Sequence, residues 1–156
     1  MDFLTQVSTN FPIWAAVAAF LAAQLLKIIK DLILYKKLNL YLIISNGGIP
    51  SSHTAFVTAM ATAVGMREGF ETSAFAVAAV ISLIVMQDAA GVRRAAGEQA
   101  EVLNKIVTII KENTGLVMDK KLQELLGHSP VEVFAGAILG ILTGIFFAVT
   151  NGYNLR

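Results

Sequence analysis

Long apolar runs separated by short polar breaks set the pattern of this chain. The first run covers residues 11–29 and is interrupted only by Gln24 and Lys27. At roughly 1.5 Å per residue it reaches about the ~30 Å thickness of a bilayer's hydrocarbon core. Pro12 suits the first turn of such a helix. A Lys-rich break with Lys30, Asp31, Lys36 and Lys37 follows, then an apolar piece, residues 38–45, too short to span and read as re-entrant or interfacial. Asn46-Gly47-Gly48-Ile49-Pro50 is a strong breaker, after which Ser51 or Ser52 can cap a helix over residues 51–66. Ala55, Ala59 and Ala63 give that helix a ridge of small residues at four-residue spacing, the pattern of close contact in lipid.

A third span is expected over residues 72–92, with Gln87 and Asp88 near its end. Over residues 93–127 charges intermix with Leu103, Ile106, Val107 and Ile110 at helical spacing, which predicts an amphipathic helix on or beside the membrane surface. A fourth span covers residues 131–149, with Gly136, Gly140 and Gly144 as a second small-residue ridge. The pattern predicts an all-α integral membrane bundle of about four spans plus one amphipathic surface helix, in a single domain over residues 1–156. A homodimer through one of the small-residue ridges is compatible with so small a bundle.

Composition agrees: 56% of the 156 residues are apolar and 15% charged, against about 25% charged in an ordinary soluble domain. A net charge of +1 argues against nucleic acid as a partner held by bulk charge. The absence of cysteine removes disulfides, thiolate metal sites and cysteine nucleophiles together. Asp2 stands where a signal peptide would carry basic residues, so the first run is expected to remain as a span.

Charge also sets an orientation. Ten of the twelve Lys and Arg residues fall between the first and second spans or between the third and fourth; Arg67 and Arg156 fall on the other face. The positive-inside rule then places both termini outside and the two basic loops in the cytoplasm, here of a bacterial plasma membrane. Lys36, Lys37, Lys120 and Lys121 read as topology and headgroup anchors.

This topology gathers the chemistry at the cytoplasmic face. Lys27 and Lys30 close the first span there, with Gln24 one turn before Lys27. Gly48, Ser51, Ser52 and His53 open the second; Asp88, Arg93 and Arg94 end the third; His128, Ser129, Pro130 and Glu132 open the fourth. Helix N-termini offer free N–H groups and a positive dipole end, and a Gly-Gly turn lets backbone approach an anion, so the constellation suits phosphate. A neutral imidazole can attack phosphorus while a protonated one protects the leaving oxygen. A carboxylate four residues after a histidine on one helix can hold its ring. Ser129-Pro130-Val131-Glu132 is equally a capping box, Ser51 and Ser52 are equally ordinary caps, and Asp88 equally a partner for a nearby cation. Arg94–Glu98 and Glu101–Lys105 have salt-bridge spacing on the surface helix.

Pro50-Ser51-Ser52-His53 resembles the Pro-Ser-Gly-His motif of the type 2 phosphatidic acid phosphatases. His128, Glu132, Gly136 and Gly140 resemble that superfamily's closing motif, a histidine followed four residues later by an acid and then by spaced glycines. With Gln24-x-x-Lys27 and Asp88-Ala89-Ala90-Gly91-Val92-Arg93-Arg94, the order of motifs resembles the divergent branch of the superfamily over nearly the full length. The resemblance implies a membrane-embedded phosphatase acting on lipid phosphates or diphosphates. It makes His128 the nucleophile, Glu132 its orienting partner, His53 the general acid, Ser52 a phosphate donor, and Lys27 or Lys30 the first-motif lysine. The sequence departs from the pattern at Ser52, at Glu132, and at Leu122, where the third-motif arginine is expected; Arg93 or Arg94 would fill that role if the surface helix folds back.

No cofactor is implied, and no paired acidic motif has the spacing of a metal site. A second function class, a catalytically silent phospholipid-binding or scaffold protein that keeps the anion pocket, fits the same residues. A transporter fits less well, because the ionisable residues cluster at one face rather than the midplane.

Overall fold

Large apolar side chains are on the outside of this molecule and small ones on the inside. The computed structural model describes residues 2–36, 48–114 and 128–154, apart from the side chains of Arg93 and Thr114. Leu21 and Leu25, Val80, Leu83 and Ile84, and Phe134, Leu142 and Phe146 are all exposed. The buried hydrophobic set is mostly alanine, including Ala15, Ala19, Ala23, Ala55, Ala59 and Ala63. Water would not tolerate that arrangement and lipid favours it, since helices in a bilayer gain from close backbone approach rather than from hiding apolar surface. The chain is an all-α integral membrane bundle.

The described elements are α1 (Phe3–Ser8), α2 (Phe11–Tyr35), α3 (Ser52–Glu68), α4 (Ser73–Gln87), a π-helical turn (Asp88–Val92), α5 (Arg93–Thr114) and α6 (Pro130–Thr150). Asp2 caps α1, whose end receives the Trp14 indole N–H at the Ser8 carbonyl, 3.0 Å away. Helix α2 extends past residue 29 to Tyr35, because neither Lys30 nor Asp31 is a breaker. Among the described residues, three stretches are long and apolar enough to cross a membrane: α2, the continuous helix Ser73–Asn113 that includes α4, and α6.

Helix α3, at 17 residues, falls outside that group yet lies at the centre, packed on α2, α4 and α6. Its neighbours are protein rather than lipid, so it carries Ala, Thr, Ser and Gly where the others carry Leu, Ile and Phe. The glycine ridge of α6 packs directly on it. A methyl group at Gly136 would meet the Ser51 carbonyl, one at Gly140 the Ala55 carbonyl and Thr58 hydroxyl, and one at Gly144 the Ala59 carbonyl at 2.8 Å. Thr58 donates to the Ala137 carbonyl at 3.4 Å and Ser82 to the Val57 carbonyl at 2.9 Å, tying α3 to α6 and α4. Both small-residue ridges are therefore used inside the bundle, which leaves other surfaces for any second copy.

The π turn joins α4 to α5 without a break. Val102, Leu103, Ile106, Ile109 and Ile110 lie exposed on α5, with Arg94–Glu98 and Lys105–Glu101 pairs at 3.0 and 2.7 Å along it. The amphipathic segment is thus helical over residues 93–114. Its expected remainder, residues 115–127 with Leu122, and the expected interfacial piece, residues 38–45, lie outside the described residues.

Candidate functional site

Because the interior is lined with alanine and glycine, its larger polar side chains stand out. Lys27, Thr54, Ser51 and Ser52 are the largest fully buried side chains. They belong to one end of the bundle, where α2 passes the start of α3.

That start is built from Gly48-Ile49-Pro50-Ser51. Gly48 has φ 89°, a left-handed conformation natural to glycine, and the Ile49–Pro50 peptide is cis. Gly48 faces the aliphatic stem of Lys27, whose Cδ is 3.8 Å from the place a β-carbon would take. Ser51 caps α3: its hydroxyl accepts from the Thr54 N–H at 3.4 Å and from the Thr54 hydroxyl at 3.1 Å. Ser52 is the first helical residue, and its hydroxyl accepts from the Lys27 ammonium at 3.4 Å. Lys27 is 2% exposed, against an exposed Lys30 one turn on. Glu132 and Lys30 act on Lys27 electrostatically. An ammonium has three donors; among the described residues Lys27 uses one, over a long distance.

His53 follows on the first turn of α3, half-buried, with its ring edge-on to Phe20 at 6.5 Å between centroids. The His128 ring also stands beside it, 6.2 Å away between centroids and at 82° to it. His128 is 2% exposed. It precedes helix α6 rather than belonging to it: Ser129 is the cap and Pro130 the first helical residue. The premise that His128 and Glu132 share a helix therefore does not hold. Glu132 closes the capping box instead, its carboxylate accepting from the Ser129 N–H at 3.0 Å while the Ser129 hydroxyl accepts from the Glu132 N–H at 3.3 Å.

Backbone hydrogen bonds lock the pieces together. The Ser51 N–H donates to the Glu132 carbonyl at 2.9 Å, joining the starts of α3 and α6. The His128 N–H donates to the Ala89 carbonyl at 3.0 Å, joining the α6 entry to the π turn. Two helix N-termini, two imidazoles and one buried ammonium thus converge, a set that can hold an oxyanion and exchange a proton.

Of the residues singled out in the sequence, Lys27, Gly48, Ser51, Ser52, His53, His128 and Glu132 come together. Gln24 is buried one turn before Lys27 on α2, and Asp88, half-buried, opens the π turn next to Ala89. Lys30 is exposed, and Arg94 is exposed and paired with Glu98, so neither is gathered in. Helix α5 continues from α4 over its described length; the Arg93 side chain and residues 115–127, on which the expected fold-back turns, lie outside the described residues. The sequence reading passed over two contributors: the Thr54 hydroxyl, whose place at the third helical position was a signal, and the Ala89 carbonyl, which had none. A cavity of about 380 Å³ lined by Arg67, Glu68, Glu71 and Tyr153 lies at the opposite end of the bundle, away from the histidines.

Residues 8–143 match the model of a family described as the divergent PAP2 family. The chain is 44% identical over 153 residues to an uncharacterized membrane protein, YuiD, of Bacillus subtilis (strain 168), with 92% of this chain and 97% of that protein covered. No solved structure matches the chain.

Proposed function

The chain belongs to the divergent PAP2 family, and from that premise we propose that it is a membrane-embedded phosphatase hydrolysing lipid phosphates or diphosphates through a phosphohistidine. One observation carries the reading: two perpendicular imidazoles 6.2 Å apart, beside a buried lysine and the starts of two helices. Near-attack geometry needs roughly 3–3.5 Å from nucleophile to phosphorus, and the acid must reach the leaving oxygen at hydrogen-bond distance. With the rings this close, one phosphoryl group bound beside them would be within reach of a nitrogen from each.

In the first step a ring nitrogen of neutral His128 forms a bond to phosphorus. The ester P–O bond breaks, and protonated His53 passes its proton to the leaving oxygen, releasing the lipid alcohol or the shortened phosphate. In the second step His53, now neutral, takes a proton from water as the water oxygen attacks phosphorus. The P–N bond breaks, freeing inorganic phosphate and His128. Lys27, Ser52 and the first-turn N–H groups of α3 bind the non-bridging oxygens. The charge bias supports a site at the cytoplasmic leaflet, and the Bacillus relative supports a bacterial membrane.

A second reading, a catalytically silent protein that binds phospholipid headgroups in the same pocket, is favoured by Glu132 serving the capping box and by Arg94 lying outside the site. Phosphate release by detergent-purified protein from a panel of lipid phosphates and diphosphates, with chelator present, decides between the two. The phosphatase reading expects turnover that survives chelation and disappears in His128→Ala. Inactive wild-type protein that still binds anionic lipid would leave only the second.

A further inference from the structure

His128 lies outside any helix, and residues 115–127 before it lie outside the description, yet its backbone has a firm attachment on another element. Its N–H donates to the Ala89 carbonyl at 3.0 Å. Ala89 is 4% exposed and is the second residue of the π turn Asp88–Val92. The turn is continuous with α4 and α5 and also contacts α6. Single π turns within α-helices are rare and recur at functional sites. A carbonyl oxygen has two lone pairs, so it can serve its own helix and accept a lateral donor as well. Beyond His128, Ser129 and Glu132 close the capping box, and the Ser51 N–H holds the Glu132 carbonyl.

We infer that the π turn is the positioning element of the proposed nucleophile: its extra residue carries the Ala89 carbonyl to the His128 N–H and so aims that imidazole at His53. Ala89 acts through His128 and touches no substrate. The inference rests on the reading of His128 as nucleophile, but the hydrogen bond it invokes can be observed whether or not the protein turns over.

The argument dictates the variant. A π turn closes its hydrogen bonds at i+5 rather than i+4, so it holds one residue more than an α turn. Deleting Gly91 lets the turn close as ordinary helix and withdraws the Ala89 carbonyl. Deleting Ala100 shifts the distal part of α5 equally and leaves the turn untouched, which makes it the control. The chain has two histidines, so 15N-histidine-labelled protein gives two backbone amide signals, assigned with His53→Gln. Three quantities are measured in each variant: hydrogen exchange of the His128 amide, kcat and KM on the best lipid phosphate found, and Tm in detergent.

The Gly91 deletion is expected to speed exchange of the His128 amide at least tenfold. It should also lower kcat about 10²-fold with KM within about twofold, the pattern of a misplaced reacting group rather than a lost binding contact. The Ala100 deletion should match wild type in both. If the Gly91 deletion unfolds the protein, Ala89→Val decides: its extra bulk at a buried position beside the same hydrogen bond should move both readings in the same direction. A folded Gly91 deletion or Ala89→Val protein with wild-type exchange at His128 overturns the inference. So does faster exchange with unchanged kcat. Wild type without turnover but with a protected His128 amide that the deletion exposes would sink the phosphatase reading and keep the attachment to the π turn.

Discussion

The rings of His53 and His128 face each other edge to face at 6.2 Å, but their surroundings are unequal. His128 is enclosed and anchored through its backbone, while His53 is half-buried on the first turn of α3 against Phe20. That asymmetry fits a fixed nucleophile and a proton donor with access to water.

The two roles separate by leaving group. A general acid contributes roughly 10²–10⁴-fold when the departing oxygen is basic, and far less when it is an aryl oxygen. In kcat/KM, which reports the first step and leaves out the water activation His53 serves in the second, His53→Ala should lose about that factor on an alkyl phosphate lipid and recover most of it on an aryl phosphate. His128→Ala should stay inactive on both. Steady-state phosphate release from the matched pair of substrates reads this, and equal losses for His53→Ala on the two would remove its role as acid.

Of the two candidate lysines, Lys27 is the one that lies beside the other candidate residues. Lys27 is enclosed beside Ser52 and beneath Gly48, whereas Lys30 points into the surroundings. A cation counts for more where the dielectric is low. Lys27→Met should raise KM or cut kcat/KM by about 10²-fold, on the scale of a charge-assisted contact of roughly 2–3 kcal/mol. Lys30→Met and Arg94→Ala should stay within about threefold. A Lys30→Met loss matching that of Lys27→Met would mean the exposed lysine turns inward when substrate binds.

The fold was legible in the sequence where lipid selects residues, and less so where protein does. Residues 11–29 and 131–149 carry Leu, Ile and Phe because one face meets the bilayer, and both are helices α2 and α6. Helix α3 has little of that signal, since it is enclosed on three sides; its Ser cap and alanine spacing gave it away instead. The candidate site was legible at Lys27, Ser52, His53 and His128 because such residues are costly inside a bilayer without purpose. The Ala89 contact was not, for a carbonyl has no sequence signature and Asp88–Val92 looks like the end of an α-helix. Glu132 was ambiguous for a physical reason: a residue three after a cap and four after a histidine satisfies both patterns, and only the helix boundary decides.

The α3–α6 seam should be the bundle's most sensitive packing surface. A methyl at Gly140 would collide with the Ala55 carbonyl and the Thr58 hydroxyl, neither of which can retreat without opening both helices. Overpacking of this kind costs about 1–3 kcal/mol. Gly140→Ala should lower Tm in detergent by several degrees. Gly152→Ala offers a contrast in cause: nothing lies within 4 Å, but its φ of 85° strains any other residue. Its cost should therefore be smaller, about 1 kcal/mol. A Gly140→Ala protein as stable as wild type would show that the seam is looser than the geometry states.

Glu132 offers the sharpest separation of structure from chemistry. Its carboxylate takes the Ser129 N–H and thereby completes the capping box that starts α6, directly after His128. It also acts electrostatically on Lys27. Glutamine can fill the same place in a capping box, whereas alanine cannot. If capping is the role, Glu132→Gln should hold Tm near wild type, and Glu132→Ala should lose about 1 kcal/mol. Activity should follow the same order, with Glu132→Gln within about threefold. Its neutral amide no longer offsets Lys27, so anion affinity should rise rather than fall, visible as a lower KM. If the charge instead orients His128, Glu132→Gln would keep its Tm and lose most of its kcat. Because the two variants remove charge alike and capping unequally, Tm and kcat together identify which property the bundle uses, and the hydrogen bond at Ser129 predicts capping.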